Sequence, residues 1–188
     1  MKESTKTLKT NSAVSVKRIT ITAMFAAIVT VATAFIKIPS ALGYAHPGDS
    51  MVYLAACVLP GPYGIIASSI GGAMADLISG YPQWILPTFI IKGLNAVPFV
   101  LCRMILKKRN KDNRIINLPV FLMLIPTTAV TVFGYFIGNW LLYDWAGAVA
   151  ELATWWLQPG VGAVIFIAVG LGLDALKFKQ KILPKFMR

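Results

Sequence analysis

An all-α integral membrane protein, a bundle of six transmembrane helices with both termini on the cytoplasmic side, is the fold class that this sequence predicts. Three observations carry it. The 188 residues are 57% hydrophobic and only 13% charged, with a mean hydropathy of +0.70, whereas a water-exposed domain carries roughly 25% charged residues. The apolar residues stand in long blocks, with the charges between them. The basic residues gather at the ends of those blocks, in the pattern that orients membrane proteins.

A spanning helix needs about 20 apolar residues, each rising about 1.5 Å. The first block, 19–36, follows Lys17 and Arg18. Residues 1–16 are polar and no small-residue cleavage site closes a short apolar core, so the block reads as a mature helix and not a secretory signal. A loop over 37–49 is rich in turn formers (Pro39, Gly43, Pro47, Gly48). The second helix, 50–59, is short and stops at Pro60-Gly61-Pro62; it spans only by extending past one of its ends. The third, 63–79, carries Gly64, Gly71 and Gly72, which allow close helix approach. The turn 80–84 leads into the fourth, 85–106. A basic segment follows (Lys107, Lys108, Arg109, Lys111, Arg114), then helix five over 118–142, a loop over 143–154, and helix six over 155–176. The chain thus divides into a basic tail 1–18, a six-helix membrane domain 19–176 and a second basic tail 177–188.

Topology tests the count. The N-terminal tail, the 107–114 loop and the C-terminal tail, with Lys177, Lys179, Lys181, Lys185 and Arg188, each hold five Lys or Arg. All three therefore belong inside. Four helices separate the first two and two helices separate the last two, both even numbers. The other loops hold only Lys37 as a base, and Tyr44, Tyr81, Trp84, Tyr143, Trp145 and Trp155 crowd that outer side.

The net charge of +11 forms no stripe on a soluble face, so it signals topology and anionic-lipid contact in place of nucleic acid. Cys57 and Cys102 lie in apolar stretches as packing residues, without zinc or redox spacing. One histidine cannot make a zinc site. Phosphate-loop, serine-nucleophile and H-E-x-x-H motifs are absent, which argues against an enzyme.

Ionisable groups inside a bilayer cost several kcal/mol by most scales and need a partner or a purpose. Asp76 near the outer end of helix three and Lys92 in the outer half of helix four flank a short turn. They suit either a structural ion pair or contacts to a polar ligand. Asn95 shares a helix face with Lys92, and Asn139, Trp140 and Tyr143 close helix five on the same side. Together with Tyr53 and Trp84, these residues suggest an outer polar pocket with aromatic stacking surface. His46 and Asp49 sit in the loop above it. Ala23 and Ala27 stand one turn apart near the inner end of helix one and admit a close neighbour, internal or external.

The order of these features resembles the substrate-binding S components of energy-coupling factor (ECF) vitamin transporters, over nearly the whole chain. The Ala23-x-x-x-Ala27 run contributes. The central stretch is more specific: His46-Pro47-Gly48-Asp49, Leu59-Pro60-Gly61-Pro62-Tyr63-Gly64, Ala75-Asp76-Leu77, Gly80-Tyr81-Pro82-Gln83-Trp84 and Ile91-Lys92-Gly93. It is similar to the subgroup associated with hydroxymethylpyrimidine or pyridoxine uptake. The resemblance implies import of a small vitamin across the bacterial cell membrane. It implies a transmembrane coupling protein and two ATPase subunits as partners, with Ala23 and Ala27 facing the coupling protein. No cofactor is expected in this chain, ATP and Mg being used by the partner ATPases. It further implies a pocket in the outer half, lidded by the first external loop, and toppling of the whole subunit in the membrane. S components for riboflavin, pantothenate or cobalamin are the alternatives, as is a stand-alone secondary transporter using Asp76. A membrane enzyme using Asp76 or His46 and a ligand-free scaffold subunit are the readings from other classes.

Overall fold

The computed structural model describes residues 2–40 and 43–183; of the basic tail, Lys185 and Arg188 lie outside the described residues. The architecture is helical. Helix α1 (Lys2–Ala34) is continuous through the basic tail. A small antiparallel hairpin, β1 (Ile38–Ser40) with β2 (Gly43–Ala45), occupies what the sequence reads as irregular loop. Its register pairs Ile38 with Ala45 and Ser40 with Gly43. Helices α2 (Gly48–Val58) and α3 (Tyr63–Ser79) flank the Pro60-Gly61-Pro62 turn. Gly80 ends α3 in the left-handed region, at φ 80°, which a side chain would resist. A single 3₁₀ turn, Pro82–Trp84, then opens α4 (Ile85–Lys108).

The fifth predicted helix is divided into α5 (Leu118–Leu122) and α6 (Leu124–Leu142). Pro126 has no N–H to give to the Leu122 carbonyl, so the break falls just before it. Asn117 caps α5, its Oδ1 accepting from the Val120 N–H at 3.0 Å. The 143–154 loop contains α7 (Trp145–Ala150), started by Asp144, whose Oδ1 accepts from the Gly147 N–H at 2.6 Å. Helix α8 (Leu152–Ala175) begins three residues earlier than expected, and a π turn, Phe178–Ile182, follows it.

Among the described residues, four segments are long and apolar enough to cross a membrane: Val16–Ala34, Pro82–Lys108, Leu118–Leu142 and Trp145–Ala175. Helix α2 has 11 residues and is about 16 Å long, half of a hydrocarbon core of about 30 Å. Nearly its whole surface is buried against α1, α3, α4 and α8. It is surrounded by protein, so its length need not match the lipid. Tyr53 of α2, Phe99 of α4 and Phe166 of α8 form the centre of the core, with ring centroids 5.0 to 5.7 Å apart. Outward, α3 presents Ile66, Ile70, Met74, Leu77 and Ile78, and α6 presents Ile125, Phe133, Ile137 and Leu141. Apolar stripes of this extent suit lipid and not water.

At the basic end, the segment after α4 is stitched to the segment after α8. Asp112 bonds Arg103 Nη2 and Lys179 Nζ, each at 2.6 Å. Asp174 accepts the backbone N–H groups of Ile115 and Ile116 at 2.6 and 2.9 Å.

Candidate substrate site

At the other end of the bundle, the last turn of α1, the loop before α2, the end of α3, the start of α4, the end of α6 and the start of α8 converge on a cavity of about 460 Å³. Its aromatic wall comes from three elements. Tyr135 of α6 and Trp155 of α8 stack at 4.8 Å with planes 12° apart. Trp84 lies 5.6 Å from Tyr135 and 6.4 Å from Trp155. The Trp84 Nε1–H donates to the Tyr143 hydroxyl at 3.3 Å, and Gln83 Nε2 donates to the same oxygen at 3.1 Å. These bonds tie the α3–α4 turn to the end of α6 and orient the indole.

The polar lining is acidic. Asp76, Asp144 and Glu151 face the cavity with His46, Thr33, Thr88, Asn139 and Gln158, and no Lys or Arg lines it among the described residues. Three lining atoms are buried without a hydrogen-bond partner: Thr33 Oγ1, Asp76 Oδ2 and Trp155 Nε1. A buried orphan polar atom costs roughly 1–3 kcal/mol. An acceptor, a donor and a hydroxyl therefore stand ready for a polar ligand.

Behind the wall lies a fully buried polar triad. Lys92 Nζ pairs with Asp49 Oδ1, and Gln158 Nε2 donates to Asp49 Oδ2 at 2.9 Å. The same ammonium stands 5.4 Å from the centroid of the Tyr135 ring, within cation–π range. The expected pairing of Asp76 with Lys92 is thus corrected, because Asp49 holds the lysine. Gly72 of α3 permits this: a Cβ there would come within 2.6 Å of Lys92 Cγ, so the missing side chain lets the lysine stem cross α3. Asp49 is no lid residue; it lies in the first turn of α2 and is completely buried.

His46, Asp76, Trp84, Asn139 and Tyr143 all lie on the cavity wall. Other expected site residues lie elsewhere. Tyr53 is packed in the core triad, so it offers no stacking surface to a ligand. Asn95 donates from Nδ2 to Thr131 Oγ1 at 2.9 Å, and its backbone carbonyl accepts from Thr127 Oγ1 at 3.1 Å; it joins α4 to α6. Trp140 is half exposed and meets Trp145 edge-on at 5.4 Å, outside the cavity. Asn139 donates weakly to the Gly147 carbonyl at 3.5 Å. Ala23 and Ala27 are both exposed on α1.

Sequence reasoning missed Tyr135, Trp155, Gln158 and Thr33 as site residues. Two signals were available. Thr127, Thr131, Tyr135 and Asn139 repeat every four residues in an otherwise apolar helix, a polar stripe on one face. Gln158 is an amide inside an apolar block, which calls for a partner.

The family model for "ECF-type riboflavin transporter, S component" matches residues 13–175. A chain from Pyrococcus woesei, described as an uncharacterized protein in gap 3'region, is 38% identical over 159 residues, covering 83% of this chain and 97% of that one. This chain belongs to the family of ECF-type transporter S components. It is a multi-pass membrane transport subunit for a small molecule and not an enzyme.

Proposed function

We propose, with membership of that family as the premise, that the chain captures a small, flat, polar vitamin or precursor of the pyridoxine or hydroxymethylpyrimidine type in the aromatic and acidic cavity. One observation carries the reading: an aromatic wall of Trp84, Tyr135 and Trp155 stands beside three unsatisfied polar atoms. A heterocycle stacks on the wall while its ring nitrogen, amino or hydroxyl groups meet Asp76, Trp155 and Thr33. Three carboxylates, with no Lys or Arg lining the cavity among the described residues, favour a neutral or cationic ligand. Pantothenate, itself a carboxylate, is disfavoured on charge, and cobalamin far exceeds about 460 Å³ in size.

Delivery then depends on partners, namely a transmembrane coupling protein and two ATPase subunits, docked through the exposed Ala23 and Ala27. The chain crosses the membrane six times with both ends inside, α2 and α3 completing the four long spans. Cysteines introduced at Asn110 and at Gln83 report this topology, and labelling of both from one side of sealed vesicles would contradict it. The ligand is tested by thermal unfolding of the purified chain against pyridoxine, the hydroxymethylpyrimidine, thiamin, riboflavin and pantothenate. Stabilisation by either of the first two at micromolar concentration, lost in Asp76→Asn or Trp84→Ala, supports the reading. Selective stabilisation by riboflavin or pantothenate overturns it.

A further inference from the structure

A second cavity of about 520 Å³ opens at the basic end of the bundle. Thr33 and Thr88 line the first cavity, whereas Arg18 and Arg103 line the second. Each pair is 15 residues apart along its helix, or about 22 Å, so the two cavities occupy opposite ends. Among the described residues, four basic side chains, Arg18, Arg103, Lys107 and Lys179, surround the second, against the single carboxylate of Asp112. Asp112 is committed to Arg103 and Lys179. That leaves Arg18 Nε and Arg103 Nη1 buried with no acceptor among the described residues, and Lys107 exposed at the rim.

We propose that this second cavity binds a phosphate-bearing anion, the phosphate being that of an anionic lipid headgroup or free inorganic phosphate. Two guanidinium groups with unused N–H donors match the oxygens of a phosphate, which accepts several charge-assisted bonds at once. Buried donors left empty are costly, and an anion removes that cost and the mutual repulsion of the four cations. Lys179 feels burial first and the repulsion second. Burial, and then the neighbouring Arg103, lower its pKa to about 8. The bound phosphate would bridge α1 to the α4 end and the C-terminal segment. It would anchor the basic end of an S component without using the substrate cavity.

The test uses the full purified chain in a neutral detergent at fixed ionic strength, set with sodium chloride. Thermal unfolding is followed while phosphatidylglycerol or inorganic phosphate is titrated, for the wild type and for Arg18→Gln/Lys107→Gln. Wild type is expected to be stabilised in a saturable way, with at least a fivefold weaker response in the double variant. Response to phosphatidylglycerol alone identifies the lipid headgroup; a response to inorganic phosphate as well identifies a free anion. If the double variant does not fold, Lys107→Gln, altered only at the rim, replaces it with an expected twofold or greater weakening. No response to either probe, an equal response to added chloride, or an unchanged response in the variant would overturn the proposal.

Discussion

The ammonium of Lys92 on α4 and the carboxylate of Asp49 on α2 form a completely buried ion pair, closed by Gln158 from α8. Helix α2 is too short to be located by the bilayer, and this pair pins its first turn to two long spans. Burying one such charge without its partner is far more costly than burying both. Lys92→Met is therefore expected to destabilise the protein by about 3–5 kcal/mol, and Asp49→Leu/Lys92→Met to regain most of that loss. Thermal unfolding in detergent measures both. Additive losses in the double variant would show that the pair is not the relevant unit.

Trp84 and Trp140 make opposite predictions although both are aromatic residues near the same end. Trp84 lies on the cavity wall beside Tyr135 and Trp155; Trp140 is half exposed outside it. Stacking of a flat ring on an aromatic side chain is worth roughly 1–3 kcal/mol. Trp84→Ala is thus expected to weaken ligand binding about 5- to 150-fold, and Trp140→Ala to leave it within about twofold. Titration calorimetry with the stabilising ligand distinguishes them, and equal losses would remove the wall from the site.

His46 sets an acid limit on stability. It is buried before α2, and burial first, then the charge of Lys92, lower its pKa from 6.5 to about 3. Below pH 6.5 the unfolded chain takes up a proton that the folded chain refuses, so unfolding is favoured as pH falls from 6.5 towards 3. The slope reaches about 1.4 kcal/mol per pH unit in that window. Above pH 6.5 this contribution is constant. Melting temperatures of wild type and His46→Gln, compared from pH 7.5 to 4.5, should converge as the pH falls. Parallel curves would mean that His46 accepts its proton within the fold.

If the coupling protein docks on Ala23 and Ala27, as proposed, docking and capture can be separated. Both are exposed on α1, on the flank away from Ala26 and Val29, which are buried. Ala27→Trp should leave ligand-dependent stabilisation intact while lowering vitamin uptake by cells tenfold or more. Co-purification with the coupling protein should fall in parallel. Normal uptake would move the partner surface to another face.

Several elements are legible in the sequence alone. The third helix is found at Tyr63–Ser79 as expected, because Pro62 and Gly80 punctuate it on both sides. The division of the fifth helix was equally written in Pro126, yet continuous hydropathy concealed it. Asp76, Trp84, Asn139 and Tyr143 could be gathered at one end by counting turns along each helix. Counting could not show that Tyr53 and Asn95 point into the core and into α6, since rotation of a helix that is apolar all round has no sequence signature.

Composition and the placement of charges alone determined that this chain lives in a bilayer and which ends of its helices are basic, because transfer free energy depends on what each residue is and not on what it touches. Which carboxylate takes Lys92 was decided only by packing. By sequence Asp76 was the nearer candidate, one short turn away from Lys92, and the missing side chain of Gly72 opens the path to Asp49 instead. A contact between three helices is a property of their mutual approach, and that approach is set by the shapes of all the residues between them.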